Sequence, residues 1–175
     1  LPENPLTLVS RPRVQNARDR RLEPDEETYL LAALEAGGTG DKARRNPWML
    51  PLVKLALETA MRQGEIIALS WNNVDLKKST AYLPVTKNGQ AREIPLSSRA
   101  VAVLREMPLS IDGQVFPITQ NALQMAWERA LARARKAYKV DCAKSGIKPQ
   151  PTFLTDLRFH DLRHEATSRL AEKLS

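Results

Sequence analysis

Cysteine is almost missing from this sequence: Cys142 is the only one in 175 residues. No disulfide can form within the chain, and a disulfide-stapled secreted fold is excluded. Long apolar runs are missing too. The most apolar stretch, Trp48 to Met61, is interrupted by Lys54 and Glu58 and is too short to span a bilayer. No signal peptide is visible, and the first residue is Leu1 rather than methionine. The sequence therefore reads as an excised piece of a cytoplasmic protein, with an upstream domain expected before it. No Gly-rich loop of the P-loop type occurs, which argues against an ATP-driven step. There is no Gly-x-Ser-x-Gly elbow, and Cys142 falls in an expected lysine-bearing loop with no histidine motif beside it. Internal repeats and low-complexity segments are also lacking.

What is present is one domain's worth of core and a surplus of positive charge. Hydrophobic residues make up 42% and charged residues 27%, an ordinary to slightly charge-rich globular balance. Lys and Arg number 27 against 20 Asp and Glu, a net charge of +7. Such a surplus favours a polyanionic partner, because each cation set against a phosphate releases a condensed counterion. Ribosomal proteins, heparin binders and many small enzymes share that trait, so charge alone names no function.

The pattern along the chain predicts an α+β fold, mainly helical, with a small three-stranded antiparallel sheet. Residues 1–22, with prolines and the cluster Arg11, Arg13, Arg18, Arg20 and Arg21, read on composition equally as an extended linker or arm and as a solvated tail, and residues 23–175 as the domain. Pro24-Asp25-Glu26-Glu27 opens a helix that runs to Glu35, with acids in the first turn where the helix dipole favours them. Asn46 is expected to cap a second, core helix carrying Met49, Leu52, Val53, Leu55, Ala56 and Ala60. A short helix follows from Gly64 to about Ser70. Short alternating runs predict strands at 74–76, 80–85 and 91–95, the last two joined across Asn88-Gly89, a strong hairpin signal. Helices are expected again at 97–106 and 119–138, then a loop over 140–158 and a last helix from His160 to Lys173. In the long helix Leu123, Trp127, Ala130, Leu131, Ala134 and Tyr138 form the buried stripe, while Arg129, Arg133 and Lys136 form an opposite, basic face suited to DNA phosphates.

A few polar residues stand where a fold does not obviously ask for them. Arg62 lies at the end of the core helix, where a cation also complements the helix C-terminus, and Glu65 is spaced to pair with it. Lys87 sits at the hairpin, either simply solvated or a mobile charge able to reach into a groove. The sharpest motif is His160-Asp161-Leu162-Arg163-His164. Helical spacing puts an imidazole and a guanidinium on one face, a pairing fitted to grip a phosphate, with Leu162, Ala166 and Leu170 as the buried stripe. His160 and His164 also have zinc-motif spacing, but Asp161 is a carbon shorter than the glutamate of that motif and Arg163 would repel a dication, so a metal is not expected. Tyr29, Tyr82 and Tyr138 read as packing residues.

Taken in order, Arg62, Lys87, His160 and Arg163 make the sequence resemble the catalytic domain of the tyrosine recombinases, the phage-integrase family. Leu57-Glu58-Thr59-Ala60-Met61-Arg62-Gln63-Gly64-Glu65-Ile66, with Leu69-Ser70-Trp71 and Val74-Asp75, resembles the family's first-arginine box. Phe159-His160-Asp161-Leu162-Arg163-His164, with Thr167 and Ser168, resembles its His-x-x-Arg box, and Thr86-Lys87-Asn88 with Arg92-Glu93-Ile94-Pro95-Leu96 resembles the hairpin between them. The likeness spans roughly residues 20–175, and the preceding segment resembles the family's interdomain linker.

The resemblance implies a DNA strand transferase that works through a 3′-phosphotyrosine, with no metal or nucleotide cofactor. It implies Arg62, Lys87, His160 and Arg163 as catalytic residues and Glu65 and His164 as supports. It implies double-stranded DNA as partner and a tetramer on DNA for the parent protein. The family's last box and its tyrosine have no counterpart here, so this piece is expected to be monomeric and to grip DNA without cleaving it. Two alternatives stay open: a basic DNA-binding module without catalysis, and a type IB topoisomerase-like enzyme.

Overall fold

The computed structural model describes residues 20–36, 46–84 and 90–174. Lys87 and the Asn88-Gly89 turn lie outside the described residues, as does most of the predicted arm. Within them the chain forms helices α1 (Glu26–Ala36), α2 (Met49–Thr59), α3 (Gln63–Ile67), α4 (Ser98–Arg105), α5 (Gln120–Lys144) and α6 (Asp161–Leu174). Strands β1 (Val74–Asp75), β2 (Thr80–Leu83) and β3 (Arg92–Pro95) make one antiparallel sheet in the order β1-β2-β3. The α+β class, mainly helical with a three-stranded sheet, is what the pattern predicts. The described helices include none long and apolar enough to cross a membrane.

Core helix α2 holds the domain together. Leu52, Val53, Leu55 and Ala56 are essentially inaccessible to solvent, and α2 packs against α6, α4, α1 and α5. Trp48, not the expected Asn46, is its N-cap, and no side chain caps it; Asn46 Oδ1 accepts from the Trp48 backbone N–H at 3.0 Å, in the turn just ahead of the helix. Ser97 and Thr119 do cap α4 and α5, accepting from the N–H groups of Ala100 and Ala122. In the sheet, Ala81, Leu83 and Ile94 face the core while Tyr82 and Glu93 face outward, the alternation of a half-buried sheet.

Three further expectations need correction. Residues 140–144 are not loop but the end of α5, which stops at Lys144 with Gly146 (φ +66°) just beyond its cap; Cys142 is a buried helical residue. Nothing between Tyr138 and Lys144 breaks a helix, so it continues to the first residue that readily adopts the left-handed conformation. Tyr82 is about half exposed and is no packing residue, whereas Tyr29 and Tyr138 do pack, around Phe153. Leu170 is 44% exposed, so the buried stripe of α6 stops at Ala166.

The described end of the arm, Arg20 to Leu22, touches the domain. Arg20 Nη2 pairs with the fully buried Glu26 carboxylate at 2.6 Å, which also accepts from the backbone N–H groups of Glu23 and Leu154. Arg21 and the Leu22 N–H reach Glu165 on α6 at 3.2 and 3.1 Å.

Candidate phosphate-binding site

The end of α2 sets the site. Ala60 closes that helix in the left-handed conformation (φ 52°, ψ 25°), its N–H donating to the Ala56 carbonyl. A residue with a Cβ costs about 1–2 kcal/mol there relative to right-handed backbone. That turn sends Met61 into the core and brings Arg62 to the start of α3, while the Ala60 carbonyl is left facing α6. Arg163 takes it: its Nη1 donates to Ala60 O at 2.7 Å. The two arginines, 101 positions apart in sequence, thus converge at one helix end.

Glu65 fixes the first of them. Its Oε2 accepts from the Arg62 backbone N–H and its Oε1 from Arg62 Nη1, both at 2.8 Å. The pair that the i, i+3 spacing suggests is therefore formed, with the Glu65 side chain only 8% exposed. Burial pushes the Glu65 carboxyl up, but hydrogen bonds from the Arg62 backbone and side chain, together with the charges of Arg92 and Arg62, outweigh it and hold the group below the usual carboxylate range.

His160 stands at the lip, one residue ahead of α6. The Asp161 carboxylate accepts from the Arg158 N–H at 2.7 Å, and the Arg163 N–H donates to the His160 carbonyl at 3.1 Å, which sets the first turn and the spacing between His160 and Arg163. The loop before it is anchored from beneath: Trp127 Nε1 donates to Leu157 O at 3.2 Å, and the Trp127 ring meets Phe159 edge-on at 5.4 Å. His164, half-buried, lies edge-on to His160 with ring centroids 5.3 Å apart. Desolvation first, then the neighbouring His164, Arg163 and Arg62, push His160 below its ordinary pKa, with Asp161 opposing. The shift favours the neutral imidazole, which can donate one hydrogen bond and accept another.

Arg163 is itself pushed below the usual guanidinium range by burial, then by Arg62 and Arg92, against the pull of Glu65. A guanidinium stays charged under such pressure, so the repulsion makes the pocket receptive to an anion.

The structure thus brings together Arg62, Glu65, His160, Arg163 and His164. It adds one residue that sequence reading did not single out: Arg92 on β3, whose Nη2 donates to Glu65 Oε2 at 2.8 Å. A signal existed. Arg92 stands two residues before the core-facing Ile94 and pairs across the sheet with the buried Leu83, so strand alternation turns its charge inward, where it needs a partner. Of the basic face on α5, Arg129 and Lys136 are exposed. Arg133 instead donates to the Ala33 carbonyl of α1 from Nε and Nη2, at 3.3 and 3.1 Å. It ties α5 to the C-terminal turn of α1 and is not a free phosphate ligand.

The profile of the phage integrase family matches residues 20–174. The chain is 41% identical over 169 residues to a shufflon-specific DNA recombinase of Escherichia coli, covering 97% of this chain and 37% of that protein. It is 30% identical over 174 residues to a putative integrase/recombinase of Haemophilus influenzae, covering 98% and 51%. The chain therefore spans about half the length, or less, of these curated relatives. Among solved structures it is similar to the catalytic domain of bacteriophage HP1 integrase (TM-score 0.56, 22% identity, 87% of this chain and 72% of that one). It is also similar to a lambda integrase dimer bound to a COC′ core site (TM-score 0.59, 19% identity, 88% and 41%). At those identities the structures speak for the fold alone.

Proposed function

The chain belongs to the phage integrase family, and from that premise we propose that it is the phosphate-gripping part of a site-specific DNA recombinase. The observation that carries this reading is the convergence of Arg62 and Arg163 at the left-handed end of α2, held by Glu65 and by the Ala60 carbonyl.

In the proposed reaction a tyrosine oxygen attacks a DNA phosphodiester. The bond to the 5′-oxygen breaks, leaving a 3′-phosphotyrosine and a 5′-hydroxyl; attack by a partner 5′-hydroxyl reverses the step and releases the tyrosine. The phosphodiester energy is kept in the covalent intermediate, so no nucleotide is consumed. Arg62 and Arg163 set fork-shaped donors against the non-bridging oxygens, where negative charge builds in the transition state. Lys87 delivers the proton to the leaving 5′-oxygen, and neutral His160 holds the phosphate or passes a proton. Glu65 and His164 keep the donors in place.

The attacking tyrosine is proposed to come from chain outside these 175 residues, because Tyr29 and Tyr138 are packed around Phe153 and Tyr82 stands on the sheet. Double-stranded DNA is the proposed partner, with Arg129 and Lys136 along flanking phosphates. Residues 1–22 are proposed to join the domain to an upstream one, and the parent to act as a tetramer on DNA in the cytoplasm, this piece alone being a monomer.

The test is covalent trapping. The full-length gene product, incubated with a nicked suicide duplex carrying its target site, should give a denaturant-resistant protein–DNA adduct that Arg163→Ala abolishes. An adduct formed equally well by Arg163→Ala would sink the reading.

A further inference from the structure

We propose that Arg92 is a positioning residue of the phosphate site, sharing the Glu65 carboxylate with Arg62 so that this carboxylate orients Arg62 without cancelling its charge. The inference rests on the phosphate-grip reading and gives a role to a residue that the sequence analysis named only as part of the hairpin segment.

The geometry gives each oxygen of Glu65 its own guanidinium. Oε1 takes Arg62 Nη1 and Oε2 takes Arg92 Nη2, each at 2.8 Å, while Oε2 also takes the Arg62 backbone N–H. Were Glu65 paired with Arg62 alone, the pair would be neutral and Arg163 would be the single net cation facing a phosphate. With Arg92 drawn in, Arg62, Arg92 and Arg163 stand against one carboxylate, a surplus of two positive charges beside a neutral imidazole. The arrangement also fixes direction, since a carboxylate held at both oxygens cannot rotate away from Arg62.

The placement of Arg92 makes it fit for this and ill-suited to most other work. It lies on the core-facing side of β3, at the end of the sheet nearest the hairpin that carries Lys87. Its Nε is enclosed and has no hydrogen-bond partner among the described residues, so β3 holds a charged group partly desolvated, which a sheet edge would ordinarily avoid. Its charge also reaches Arg163, which connects it to both halves of the grip.

The experiment titrates the chain with inorganic phosphate, reading the side-chain Nε–H NMR signals of Arg62 and Arg163 and a melting curve for each variant. Arg92→Gln should weaken phosphate binding by about tenfold, the order expected for one unit charge lost beside a partly screened site. Arg92→Lys should recover most of it. The double variant Glu65→Gln/Arg92→Gln restores the surplus of two charges and should bind phosphate more tightly than Arg92→Gln alone, an effect that a purely structural ion pair would not produce. If Arg92→Gln folds poorly, the double variant is compared with Glu65→Gln, whose three uncompensated guanidiniums should bind phosphate more tightly; equal affinities of those two overturn the proposal. Unchanged binding in Arg92→Gln, or no recovery in the double variant, overturns the proposal while leaving the grip standing, provided Arg62→Gln and Arg163→Gln lose phosphate. If those two lose nothing either, the grip itself is wrong and the role of Arg92 falls with it.

Discussion

Arg163 donates from Nη1 to the backbone carbonyl of Ala60 at 2.7 Å, joining α6 to the end of α2 across 103 residues of sequence. The bond couples the fold to the chemistry. The carbonyl is free to accept because the last carbonyls of a helix have no partner within it, and the guanidinium is held with the rest of its fork available to a ligand.

Arg163→Lys keeps the charge but cannot serve the carbonyl and a phosphate with one rigid fork. We expect strand cleavage by the full-length protein to fall by at least tenfold and the chain to lose about 1 kcal/mol of stability. Cleavage rates and urea unfolding measure the two separately.

Glu65→Gln leaves two guanidiniums close together with no carboxylate between them. A loss on the order of 2 kcal/mol is expected, below the range for a fully buried pair because both arginines are partly exposed. The same carboxylate sets an acid limit. Its folded pKa lies below its unfolded one, so its contribution is complete above about pH 4.5, the ordinary glutamate value, and is lost as pH falls through the lower folded value. Unfolding measured from pH 6 downward should show that loss in the wild type and not in Glu65→Gln.

His160 titrates in the opposite chemical sense. Folding depresses its pKa, so the unfolded chain takes up the proton first, and stability falls as pH drops below about 6.5, levelling once the folded pKa is passed. A bound phosphate would reverse this, because an anion favours the imidazolium. NMR titration of the His160 ring should give a pKa below 6.5 in the free chain and a higher one with DNA bound; equal values would remove His160 from the grip.

Arg133→Ala should cost about 1 kcal/mol, the worth of a hydrogen bond to the α1 terminus, and leave DNA binding alone. Arg129→Ala and Lys136→Ala, both exposed on the same helix, should do the reverse, with little change in melting and weaker DNA binding at low salt.

That contrast marks how far the sequence could be read. Helical spacing told which face of α5 was charged, but not that the α1 carbonyls lie against Arg133. The apolar periodicities of α2 and the front of α5 were legible because burial follows the helix repeat directly. Arg62, Glu65, His160 and Arg163 were legible because each pair lies within one turn. Arg92 was harder: its partner Glu65 is 27 residues away, and only strand alternation hinted at an inward charge. Ala60 gave no hint at all, since a helix ending in the left-handed conformation is ordinarily marked by glycine. Glu26 and Glu165 are buried as acceptors for the end of the arm, contacts fixed by tertiary packing that no local spacing marks.

On the proposed grip, Arg62 and Arg163 together hold one DNA phosphate. Its most direct test is the salt dependence of duplex binding by this chain, wild type against Arg62→Gln/Arg163→Gln. The plot of log affinity against log salt should become shallower by about 0.9 in the double variant, the value for one phosphate no longer neutralised. Parallel lines of equal slope would contradict it.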